Sequence, residues 1–163
     1  MLMTMGRVNG YRKVVGAIVL KRNKVLLVHN QTHGPNFWKF PQGGIKNRES
    51  EKNAVLRELE EELGTDKFRL LHKSSVSHRY QWPLKIQKEK GFIGQIVSYW
   101  YVKFMGKNSD LNLSGDLLDR LLWVSPVKLP SMFELPDLKE KAEEIAKEML
   151  SLNLSHFPTK RNK

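Results

Sequence analysis

The segment from Gly43 to Gly64 constrains this chain more than any other. Gly43 is followed by Glu49, then by Arg57-Glu58-Leu59, Glu61-Glu62 and Gly64, and neither Gly nor Pro interrupts residues 49 to 63. Good helix formers dominate the stretch, and Gly64 stands where a C-terminal capping glycine belongs, so the spacing predicts a helix from about Glu49 to Leu63. At about 100° per residue, Glu58, Glu61 and Glu62 fall within an arc of roughly 100°, with Ala54 as a small residue on the same stripe. Val55, Leu56, Leu59 and Leu63 form the adjoining face, which is expected to pack on a sheet. Carboxylates this close raise one another's pKa unless cations sit among them. Magnesium suits such a set, because it takes oxygen ligands and binds through a few carboxylates plus substrate phosphates. Arg57 lies one turn before Glu61 and can pair with it and orient it. A glutamate-rich helix on its own is equally a solvated acidic face. The spacing of the whole segment is what points to chemistry.

Around this helix the chain reads as strands. Residues 11–20 and 24–29 are apolar and β-branched with a polar turn between them, the pattern of a hairpin or of adjacent strands. Gly34, Pro35 and Asn36 mark a loop, and Pro41 with the paired glycines breaks regular structure before the helix. Residues 67–81 and 91–104 are expected as strands, with Tyr80 and Trp82 on a loop before the second. Residues 106–116 form a polar connection, 121–126 a short strand and 130–136 a turn-rich segment. Leu138, Ala142, Ile145, Ala146, Met149 and Leu150 recur at helical spacing, predicting a closing amphipathic helix with Asp137 and Glu140 at its N-terminal cap. This order predicts an α/β fold: a mixed central sheet with helices on both faces, in α/β/α layers.

The length of 163 residues fits one domain over 1–163, with an ordered part at about 10–152 and a basic tail at 153–163. The absence of cysteine excludes disulfides and thiolate metal sites. No apolar run approaches the roughly 18–20 residues of a membrane span. The expected compartment is the cytoplasm, with no membrane association and no protein partner. The chain has 28 Lys and Arg against 17 Asp and Glu, a net charge of +11 whose field attracts polyanions, nucleic acid first among them.

The run of Gly, Glu, Arg-Glu-aliphatic, Glu-Glu and Gly at these separations resembles the signature of the Nudix hydrolases. Thr65 stands where that signature usually has an aliphatic residue. The resemblance implies an α/β/α sandwich that hydrolyses a pyrophosphate bond with two or three divalent ions, magnesium or manganese in its place. Carried over by position, Glu58, Glu61 and Glu62 are the implied metal ligands. Gly43 and Glu49 complete the metal-binding loop, and Arg57 orients a glutamate. The ions activate a water for attack on phosphorus and neutralise the leaving oxygens. The implied base is Glu61 or Glu62, or a later-loop carboxylate, Asp116 or Asp119.

The flanks narrow the resemblance. Gly10-Tyr11-Arg12, Trp38-Lys39-Phe40-Pro41-Gln42-Gly43-Gly44-Ile45, Gly94-Gln95 and Trp123-Val124-Ser125 are similar to the bacterial RNA pyrophosphohydrolases. The Trp-x-x-Pro-Gln-Gly-Gly segment is shared with the dinucleoside tetraphosphate hydrolases. The implied substrate is therefore 5′-triphosphorylated RNA or a dinucleoside polyphosphate. RNA offers a basic chain a long row of phosphates, and its unstacked bases want aromatic platforms. Arg12, Lys39, Gln42 and Lys46 are expected substrate contacts and Phe133 a base platform. Trp82 is expected to be exposed, while Trp100 and Trp123 read as core. His29-Asn30 departs from the arginine-bearing segment of the RNA enzymes. A non-catalytic binder of nucleotide or RNA is the reading from another class; such proteins generally lose the box glutamates, and all are present here.

Overall fold

Val14–Leu20 is an unbroken run of buried residues, the pattern of a strand covered on both faces. A computed structural model of the chain describes residues 10–113 and 118–153 and places that run at the centre of the sheet. The described elements are β1 (Tyr11–Lys21), β2 (Lys24–Asn30), β3 (Trp38–Lys39), β4 (Gln42–Gly44), α1 (Glu51–Leu63), β5 (Phe68–Gln81), α2 (Leu84–Lys90), β6 (Gly94–Phe104), β7 (Leu118–Val124) and α3 (Pro136–Ser151). The strands form one mixed sheet in the order β3-β2-β1-β6-β5, with β4 added to β1 and β7 to β2. β1 and β6 are parallel, from Tyr11 opposite Gly94 to Leu20 opposite Lys103, and the remaining pairs are antiparallel.

Alternation along β1 divides the core. Val15, Ala17 and Val19 face α1, which buries Ala54, Val55, Leu59 and Leu63 against them. Val14, Ile18 and Leu20 face the other way, toward Ala142, Ile145 and Met149 of α3. The layers are therefore α/β/α, as expected from the element order. α3 is also latched through Glu148, whose carboxylate accepts hydrogen bonds from the hydroxyls of Ser74, Ser75 and Tyr101 and from the Ser75 N–H. Glu148→Ala leaves the Ser74 and Tyr101 O–H groups without this acceptor and is expected to cost about 2 kcal/mol, read as an earlier urea midpoint at constant m. A midpoint unchanged from wild type would show that the latch contributes nothing.

Several local expectations are corrected. α1 begins at Glu51 rather than Glu49, because the Ser50 hydroxyl caps the helix by accepting from the Asn53 N–H at 3.1 Å. Ala54 is fully buried in the core rather than on the acidic stripe. Tyr80 lies within β5, and a seven-residue helix, α2, follows it where no helix was expected. β7 starts at Leu118, three residues before the expected strand. α3 is capped at Leu135 without a side-chain hydrogen bond. Pro136 sets its first turn, and Asp137 lies inside that turn.

Candidate active site

Capping by Ser50 leaves Glu49 just outside α1, where its carboxylate meets a residue two turns along the helix. Arg57 Nε donates to Glu49 Oε2 at 2.7 Å and Nη2 to Glu49 Oε1 at 2.9 Å, a two-point fork, while the Lys46 N–H donates to Glu49 Oε1 at 2.9 Å. The Arg57 guanidinium and the Lys46 N–H hold the Glu49 carboxyl down at about 2. Arg57 also reaches the Gly44 carbonyl at 2.9 Å and Glu58 Oε2 at 2.8 Å, and its pKa is raised further by these carboxylates. Its contacts with Glu61, the partner expected from helical spacing, are longer, at 3.4 Å. Arg57 thus ties the loop to the helix and orients Glu49 and Glu58 before Glu61.

The loop closes on the helix through missing side chains. A Cβ on Gly43 would sit 1.9 Å from the Glu58 Cδ, and one on Gly44 would sit 2.3 Å from Nη2 of Arg12. Gly43 thus lets the Glu58 carboxylate lie against the backbone, and Gly44 does the same for the Arg12 guanidinium. Arg12 Nη1 in turn donates to Gln95 Oε1 at 3.2 Å.

The three expected ligands lie in different surroundings. Glu61 is open, its side chain 56% exposed, and Glu58 is held by Arg57. Glu62 is mostly buried, and its Oε1 has no hydrogen-bond partner. Burial pushes the Glu62 carboxyl up to about 7, against the opposing charge of Lys39 and a hydrogen bond from the Gln42 main chain, with Glu58 and Glu61 pushing the same way as burial. Among the described residues, no three His, Cys, Asp or Glu side chains already converge as a ligand cage. A divalent ion of the magnesium kind does not require one, because it keeps waters and takes one or two carboxylates plus substrate phosphates. The orphaned Glu62 oxygen and the Gly43 cradle of Glu58 fit such an ion. Glu49 is consumed by Arg57 and Lys46, which makes it a loop brace.

Beside these carboxylates opens a cavity of about 560 Å³, lined among others by Lys39, Phe40, Gln42, Tyr80, Trp82 and Phe133. Lys39 and Gln42 thus stand between Glu62 and the cavity. Lys46 is exposed on the α1 loop and does not line it. Phe133 is only 4% exposed and packs on Phe40 at a centroid distance of 5.3 Å. Expected as a base platform, it is a core side chain that contributes wall to the cavity, held there by the apolar cluster around Phe40 and Tyr99. Trp82, expected to be exposed, is half-buried at the rim. Trp100 is core as expected, while Trp123 is half-buried. Asp119 is paired with His29, Oδ1 to Nδ1 at 2.6 Å, and that contact lowers its pKa. Asp116 lies outside the described residues. His78 also lines the cavity and was missed, although Val76, His78 and Tyr80 alternate with Ser75, Ser77 and Arg79 in a period of two that marks an inward face.

A family model for the NUDIX domain matches residues 10–150. The chain is similar to the RNA pyrophosphohydrolase of Campylobacter jejuni, 36% identical over 121 residues, covering 71% of this chain and 78% of that protein. It is also similar to the chloroplastic Nudix hydrolase 26 of Arabidopsis thaliana, 29% identical over 159 residues, covering 91% of this chain and 71% of that protein. A crystal structure of a C. elegans Ap4A hydrolase matches with a TM-score of 0.65 at 18% identity, covering 86% of this chain and 98% of that one, a likeness of fold.

Proposed function

The chain belongs to the Nudix hydrolase family and hydrolyses pyrophosphate bonds, and we propose that its substrate is 5′-triphosphorylated RNA, with magnesium as the metal. Nudix hydrolases generally need a divalent ion. The observation that carries the reading is the position of Lys39 and Gln42: the Lys39 charge and the Gln42 main chain both act on Glu62, and both residues line the cavity. A polyphosphate lying along them extends from the carboxylates of α1 toward a pocket large enough for a base. Glu58, Glu61 and Glu62 are the proposed ligands, and manganese can take the same oxygens. The bound ion would supply charge neutralisation on the phosphates and acidify a water. Arg57 holds Glu58 and the Gly44 carbonyl in place, while Lys39 and Arg12 offer positive charge to phosphate oxygens. Glu62, with an unpaired oxygen and a pKa raised to about 7, is the better base candidate, and Glu61 is the other. Asp119 is already engaged by His29.

RNA is favoured over a dinucleoside polyphosphate by the charge of +11, which a longer polyanion exploits phosphate by phosphate. The compartment proposed for this activity is the cytoplasm; among the described residues no helix is long and apolar enough to cross a membrane. The test offers 5′-triphosphate RNA and diadenosine tetraphosphate at equal concentration in magnesium, then in excess chelator. RNA is expected to turn over faster, and chelation to abolish both reactions. Activity undiminished by chelator would overturn the metal assignment, and faster dinucleotide turnover would overturn the RNA assignment.

Salt provides an independent check. Affinity for two-, four- and eight-nucleotide 5′-triphosphate RNAs is expected to rise with length and then level off. It should also fall with salt at a log–log slope of roughly −0.7 per phosphate contact. Equal slopes for RNA and diadenosine tetraphosphate, with no dependence on length, would favour the dinucleotide.

A further inference from the structure

One polar group in the cavity has no partner. His78 of β5 is 5% exposed, lines the cavity beside Tyr80, Trp82 and Phe37, and has an Nδ1 with no hydrogen bond among the described residues. Its ring lies tilted against Tyr80 at a centroid distance of 4.9 Å. Tyr80 is itself fixed, its hydroxyl accepting from Gln95 Nε2 at 2.6 Å. A buried nitrogen left unpaired is unfavourable, and in a cavity of this size a substrate group can supply the missing partner. The cavity's aromatic rings suit a flat heteroaromatic partner.

We propose that His78 is a specificity-determining residue, bonding the edge of a nucleobase of the substrate that occupies this cavity. The proposal rests on the nucleotide-polyphosphate reading above. Because Lys39 and Gln42 join the cavity to Glu62, the base belongs to one of the nucleotides next to the reacting phosphates. Burial, reinforced by the charge of Lys141, holds the His78 pKa below its ordinary value, against the smaller opposing charges of Asp137, Glu140 and Glu144. A neutral imidazole donates from one nitrogen and accepts at the other, so its tautomer can match the mixed donors and acceptors of a base edge. A leucine of similar size could fill the volume and make neither bond.

The experiment measures kcat/KM on 5′-triphosphate RNAs of one length in which the first or second base is A, G, C or U, for wild type and His78→Leu. Wild type is expected to discriminate by about tenfold at one position, the worth of a hydrogen bond or two, and His78→Leu to bring that ratio close to one. In parallel, the ring ¹⁵N resonances of His78 in the wild-type protein are followed with RNA, diadenosine tetraphosphate and inorganic triphosphate. They are expected to shift with the ligands that carry a base and not with triphosphate. An unaltered base preference in His78→Leu, or His78 resonances that ignore every base-containing ligand, would overturn the proposal. Failure of the RNA assignment shows separately, as absence of RNA turnover. In that case the resonances with diadenosine tetraphosphate decide whether His78 contacts a base.

Discussion

Glu62→Gln is expected to lower turnover by about a thousandfold or more, while making the metal-free protein more stable at pH 8. Both effects follow from where α1 puts this carboxylate. It is largely buried with one oxygen unpaired, and burial lifts its pKa to about 7 from 4.5. Between those values the folded chain holds a proton that the unfolded chain has released. The folded state is thus favoured in full below pH 4.5, and that advantage is lost as pH rises through 7. Above pH 7 the ionised side chain costs on the order of 3 kcal/mol, which a neutral glutamine avoids. Urea unfolding in chelator at pH 5 and pH 8 should show wild type losing stability across the interval and the variant losing less. Added magnesium should narrow the gap at pH 8, because an ion stabilises the carboxylate and not the amide. Glu60→Gln is the control, since Glu60 is exposed on the helix away from the site and should keep wild-type turnover. A Glu62→Gln enzyme of near-normal activity, or a stability difference that does not change with pH, would refute the assignment. Equal damage from Glu60→Gln would show that the register of the acidic stripe is wrong.

Gly43→Ala should reduce kcat/KM by about a hundredfold with little loss of stability. The added Cβ would lie 1.9 Å from the Glu58 Cδ and 2.1 and 2.4 Å from its two oxygens, so the carboxylate has to leave. It is the far end of a flexible side chain, and its departure costs the fold little. Leaving also breaks the 2.8 Å contact with Arg57 and moves a proposed ligand by more than an ångström. An ångström of misplacement in a reacting constellation is enough for two orders of magnitude. A melting temperature close to wild type with lost activity and weakened magnesium affinity is the expected pattern. Retained activity would show that Glu58 does not work from this position, and unfolding would show that Gly43 serves the backbone instead.

Much of this was legible in the chain because the signals are local. The end of α1 at Gly64 and the common face of Glu58, Glu61 and Glu62 follow from spacing along one helix, a period set by backbone geometry whatever surrounds it. The division of β1 between two cores follows from a period of two in the same way. The layered α/β fold was readable from the order of the elements, since apolar faces on both sides of a strand demand cover on both sides.

Other features depended on which distant segments meet. Arg57 was legible as a partner for Glu61 four residues on, yet it spends its fork on Glu49, because the Ser50 cap swings Glu49 out of the helix and back onto Arg57. Asp119 read as a later-loop candidate base, yet it lies in β7, and the pairing of β2 with β7 sets it against His29, 90 residues away. Phe133 became core, and His78 became the wall of a cavity, through the pairing of β5 with β6 and the packing of the segment before α3. The amino-acid sequence by itself determined the glutamate-bearing helix and the family's class of chemistry, because helix geometry fixes which side chains share a face. Which side chains line the cavity beside that helix was decided only by tertiary structure, because strand register and burial are properties of the pair of segments in contact and not of either one alone.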